Sequence, residues 1–222
     1  MKKKPAKSKW ALPAAAVVLF AALAGGQAYA AAPFGDLQGI PEASRILTLR
    51  EAGLLNGSPD GRFNPQDPLT NAQAIRLAVD TFKLNMDDIQ FIRKPEASDY
   101  FAKASDKAWY AGTLIIAAHS DLDLPKDLDP NAPATRSSFA SLLILAGHQQ
   151  AALPVFRLSP VEIQDEAAIP EGRSGLMQQA LVFDMLELDA DGRIRPNEPL
   201  TRAAAADILY GAALSASLIE AE

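Results

Sequence analysis

Apolar residues fall at helical spacing in three long stretches of this chain, each beginning just after a threonine. Behind Thr70 they stand at Ala74, Leu77, Ala78 and Phe82, behind Thr135 at Phe139, Leu142, Leu143 and Ala146, and behind Thr201 at Ala205, Ile208, Leu209 and Ala212. Offsets of four, seven and eight from the threonine recur in all three, which draws one stripe along an amphipathic helix. Each threonine hydroxyl can accept a hydrogen bond from the backbone N–H three residues on, and Gln73 can reach back to Thr70 in a capping box. Three further helices are predicted. One runs from Glu42 to Ala52, with Ile46, Leu47 and Leu49 near one face and Gly53 as its stop; the others span Asp106 to Ala118 and Glu171 to Leu186. No alternating run of any length competes with these, so the predicted fold class is all-α.

The segments that lead into the threonines also recur. Asn56 to Ala74 contains Asp60-Gly61-Arg62-Phe63-Asn64-Pro65, then Pro68-Leu69-Thr70-Asn71; Asp189 to Ala204 contains Asp191-Gly192-Arg193-Ile194-Arg195-Pro196, then Pro199-Leu200-Thr201-Arg202. Gly61 and Gly192 can take the positive φ a tight turn needs, and the prolines forbid helix between them. A worn middle copy, Leu128-Asp129-Pro130 through Pro133-Ala134-Thr135-Arg136, lacks the Asp-Gly turn. The three threonines lie 65 and 66 residues apart, a period that signals three copies of one unit. The organisation predicted is a leader over 1–30 and units over 31–95, 96–160 and 161–222.

The leader has five lysines, then an apolar run from Ala11 to Ala24, then Ala28-Tyr29-Ala30 as a small-x-small cleavage site. That run is shorter than the roughly 20 residues of a spanning helix, so an exported chain with no membrane span after cleavage is expected. Removing residues 1–30 takes five of 21 cationic side chains and none of 27 acids, leaving 16 against 27, or net −11. A surface of that sign argues against nucleic acid or an anionic membrane as partner. With no cysteine in the chain, no disulfide holds the fold and core packing must.

Taken together, Phe34-Gly35-Asp36, the first helix, the glycine loop, Asp-Gly-x-Phe-x-Pro and Pro-Leu-Thr resemble the S-layer homology repeat, and the resemblance runs over nearly all of residues 34–213. It implies three tandem helix-loop-helix repeats in a pseudo-threefold arrangement. The implied function is non-covalent attachment to a Gram-positive cell envelope, by binding secondary cell-wall polysaccharide that is often pyruvylated. The positions that match the family's arginine are Arg136, Arg202 and, in the first unit, Asn71; Trp109 matches its aromatic, whereas Pro41 and Gly172 replace it in the other units.

Helix-tip physics points the same way. Arg136 and Arg202 stand at the first helical position, where a cation is mildly unfavourable, and free N–H groups beside a guanidinium would cradle a carboxylate such as that of a pyruvyl ketal. Trp109 could stack on a sugar face or serve as a core aromatic. The polysaccharide-binding set that the resemblance implies is Arg136, Arg202, Trp109 and Asn71, supported by the caps Thr70, Thr135 and Thr201 and the loop glycines Gly61 and Gly192. No cofactor is expected, and the chain is expected to be a monomer.

Two other classes compete. Glu187, Asp189, Asp191, Gly192 and Glu198 have the oxygen spacing of an EF-hand-like or dockerin-like calcium loop, with Asp189, Asp191 and Glu198 as ligands, although Pro196 and Pro199 fall where its exiting helix should run. Alternatively, degenerate repeats could bind protein partners through 83–105 or 149–169. Catalysis is not expected: His119 and His148 have no triad or metal spacing, and Asp121, Asp123, Asp127 and Asp129 read as a solvated face.

Overall fold

A computed structural model describes residues 34–155, 157 and 159–221; the predicted leader and its cleavage site lie outside the described residues. Six α-helices follow in order: α1 (Ala43–Glu51), α2 (Asn71–Thr81), α3 (Ala111–Ala118), α4 (Arg136–Gln149), α5 (Ser174–Val182) and α6 (Arg202–Ser215). Short 3₁₀ turns at Ala97–Asp99 and Glu166–Ala168 sit in the connectors, and the described residues contain isolated β-bridges but no sheet.

Local chemistry accounts for the helix ends. The hydroxyls of Thr70, Thr135 and Thr201 accept from the amides of Gln73, Ser138 and Ala204 at 3.3, 3.3 and 3.2 Å. Gln73 closes the reciprocal box on the Thr70 amide at 2.9 Å, and Ser138 does the same for Thr135. Helix α1 stops at Gly53, whose φ of 72° lets the Leu54 amide reach back to the Leu49 carbonyl at 2.9 Å. Two helices are shorter than their sequence predicts. Residues 106–110 form turns, so Trp109 precedes α3 instead of lying within it. Helix α5 begins after Gly172, at φ 77°, and ends where Asp184 turns left-handed at φ 51°.

The units interlock in a ring. The first helix of each packs on the long helix of the preceding copy: α3 on α2, α5 on α4, and α1 on α6. At the axis, the amide of Leu69 donates to the Leu200 carbonyl (2.9 Å), Leu200 to Ala134 (2.9 Å) and Ala134 back to Leu69 (2.8 Å), a closed cycle among three buried residues. Antiparallel bridges Pro68–Thr201, Pro133–Thr70 and Pro199–Thr135 repeat the same rotation.

Helix α4 lies at the centre, against α2 on one side and α6 on the other. Its expected single stripe is wrong for that reason: Phe139, Ala140, Ser141, Leu142, Leu143 and Ile144 are all buried, as a helix surrounded by others must be. Helices α2 and α6 have no comparable mutual packing, so the third side of the triangle stays open.

Candidate functional site

The open side forms a groove of about 270 Å³, lined on the α2 face by Gln73, Arg76 and Asp80 and on the α6 face by Arg202 and Ala206, with Trp109 at its edge. Trp109 is 55% exposed, so it is not a core aromatic.

Arg202 is positioned by a relay that starts in the sequence motif Phe34-Gly35-Asp36. The Asp36 carboxylate accepts the amides of Phe63 (2.9 Å) and Asn64 (2.7 Å), pinning the glycine loop. The Phe63 carbonyl, turned the other way, accepts from Arg202 Nε at 2.7 Å, and the Asn56 carbonyl accepts from its Nη2 at 3.3 Å. The guanidinium carbon lies 4.7 Å from the Phe63 ring centroid. Among the described residues Arg202 makes no ion pair, and burial pulls its pKa below the usual arginine value, with the fields of Asp67 and Asp36 opposing. Hydrogen bonding from the Phe63 amide, chiefly, holds the Asp36 carboxyl below the usual carboxylate range.

The third unit repeats the relay. Asp165 accepts the amides of Ile194 (3.0 Å) and Arg195 (2.8 Å), and the Ile194 carbonyl accepts from Arg136 Nε at 2.8 Å. The second unit has lost both ends of it. Lys103 takes the acid's place two residues after Phe101, the Asp-Gly turn is missing, and Asn71 spans the shorter distance to the Asp129 carbonyl at 3.0 Å.

One expectation is overturned. The helix tips have no free amides to offer an anion: Arg202 and Ala203 donate to Asp67 and Pro65, Asn71 and Ala72 to Ala132 and Pro130, and Arg136 and Ser137 to Glu198 and Pro196. The neighbouring unit's loop consumes them, a tertiary event invisible to cap-by-cap reasoning. Of the four expected contacts, Arg202 and Trp109 line the groove and Arg136 and Asn71 do not. Arg76 and Gln73 line it unforeseen, although Arg76 and Asp80 at i and i+4 were a readable pair.

In the calcium-type loop, Asp189 has its partners within the chain. Asp189 accepts the amides of Asp191 (2.9 Å) and Arg193 (3.0 Å), and pairs with Arg195 at 2.9 Å; the Arg193 amide, first, holds its carboxyl low. Among the described residues no group of three or more His, Asp or Glu side chains is placed to hold a metal ion. His119 Nε2 lies 2.8 Å from the Tyr100 hydroxyl and Asp123 pairs with Arg173, both outside the groove. No helix among the described residues is long and apolar enough to cross a membrane.

No curated protein matches the chain. Residues 33–75 match the family model of the S-layer homology domain, a stretch that holds Asp36, α1, the glycine loop and the capped start of α2. Over that stretch the chain is similar to the S-layer homology domain.

Proposed function

We propose that the groove between α2 and α6 binds an anionic secondary cell-wall polysaccharide, with Arg202 taking the acid and Trp109 offering its face to the sugar ring. The observation that carries this reading is the state of Arg202: a partly buried guanidinium with carbonyls and an aromatic ring around it, no ion pair among the described residues, in a groove open to solvent. A desolvated cation without a counter-ion is unfavourable alone and gains from an incoming anion. A carboxylate, such as that of a pyruvyl ketal, meets the need bidentately, and an exposed indole beside it suits a pyranose face. The chemistry is that of recognition: Asp80, the one acid among the described residues that line the groove, is paired with Arg76. In this reading the second and third units are degenerate copies of the same homology repeat, the leader exports the chain, and the mature protein works at the cell wall as a monomer.

The test is sedimentation with purified cell-wall sacculi, before and after chemical removal of the polysaccharide. The wild type should pellet only with intact walls. Arg202→Ala should weaken pelleting at least tenfold, because it removes the charge-assisted contact, and Trp109→Ala several-fold. Arg136→Ala, outside the groove, should pellet like the wild type. Equal pelleting by wild type and Arg202→Ala would sink the assignment.

A further inference from the structure

Arg76 projects from α2 into the same groove, six residues after the cap at Thr70. Its Nε lies 3.2 Å from Asp80 Oδ2, and its guanidinium carbon lies 5.8 Å from the Trp109 ring centroid. Both members of that ion pair are more than half exposed, so it is weak and readily exchanged. Arginine N-terminal to its acid is also the less favourable order on a helix, which makes helix stability a poor reason for the pair.

The pseudo-threefold supplies two internal comparisons. The residue six after the cap is Ser141 in α4 and Asp207 in α6. Ser141 is fully buried between helices. Asp207 is clamped by Arg45 of α1, whose guanidinium lies 5.3 Å from the Tyr210 ring centroid. Only the first unit places a cation at this position facing an open groove.

We propose that Arg76 sets the specificity of the groove: it lies over the Trp109 ring, tethered by Asp80, and swings to the acidic substituent of the sugar when that acid enters. This rests on the functional reading above. A ring that stacks on Trp109 must move Arg76 away from the indole, which costs a cation–π contact and the Asp80 pair. A carboxylated sugar offsets that loss by offering Arg76 a new partner, with Arg202 on the other side. A neutral sugar offers nothing in exchange and is rejected by the difference. Asp80 therefore competes with the ligand's own carboxylate.

The experiment uses the full chain in a Trp10→Phe background, leaving Trp109 as the sole indole, and sacculi that are either intact or carboxyl-amidated with a carbodiimide. Binding of the parent should fall at least tenfold on amidation. Asp80→Asn should bind intact sacculi several-fold more tightly than the parent. Arg76→Gln should bind them several-fold less tightly and show a smaller ratio between intact and amidated walls. Without any wall present, Arg76→Gln should leave far-UV circular dichroism unchanged while raising acrylamide quenching of Trp109. If Arg202→Ala loses binding but Arg76→Gln and Asp80→Asn retain the parental affinity and ratio, this inference is overturned and the functional reading stands. If Arg202→Ala binds as the parent does, both fall together.

Discussion

Asp36→Ala probes the relay that ties the fold to the groove. The substitution strips two loop amides, those of Phe63 and Asn64, of the carboxylate that accepts them at 2.9 and 2.7 Å. Hydrogen bonds to a charged group are worth about 1.5–3 kcal/mol each when sheltered. Asp36 is only partly buried, water will take over part of the loss, and a net cost of about 2 kcal/mol is expected. In a domain of this size that lowers Tm by roughly 4–8 °C at pH 7. The pH dependence has a definite sign. The folded-state pKa of Asp36 is depressed below the unfolded value of about 3.9, so its stabilisation is complete above that value. It is lost as pH falls through the folded pKa. Thermal melts of wild type and variant from pH 7 down to pH 2.5 should therefore converge below about pH 4. Because the Phe63 carbonyl also positions Arg202, the variant should bind sacculi more weakly at a temperature where both proteins are folded. Lys103→Asp, which puts the acid back in a unit whose loop lacks the turn, should change Tm little. A Tm difference that is absent at pH 7, or that persists undiminished at pH 2.5, would refute the reasoning.

Further predictions concern packing and caps. A Cβ on Gly211 would lie 2.5 Å from the Asp184 carbonyl oxygen and 2.8 Å from the Met185 amide, both backbone, so Gly211→Ala should cost about 2 kcal/mol or more in urea unfolding. Gly112, exposed in α3 with nothing within 4 Å of the added Cβ, should respond oppositely, Gly112→Ala stabilising by about 0.5 kcal/mol. Thr135→Ala removes the cap of the central helix and should cost about 1 kcal/mol, read in the same denaturation assay.

Local rules were legible in the sequence because they act over a few residues. The threonine caps, the stop at Gly53 and the positive φ of Gly61 and Gly192 (79° and 72°) depend only on near neighbours, and the all-α class follows from the helices they bound. Of the groove, Arg202 and Trp109 were legible from their place in the repeat, whereas Asp36's hold on the loop and Arg76's place beside Trp109 were not. Three like copies present three like sets of partners, and no local signal says that α1 packs on α6 or that Leu69 donates to Leu200. Tertiary packing made that choice, and in making it used up the helix-tip amides that had looked available for an anion. It also decided which side of the triangle opens. Small and apolar side chains let α4 pack against both neighbours, while Arg76 and Asp80 on α2 stay in water and leave α2 and α6 apart, with Arg202 between them.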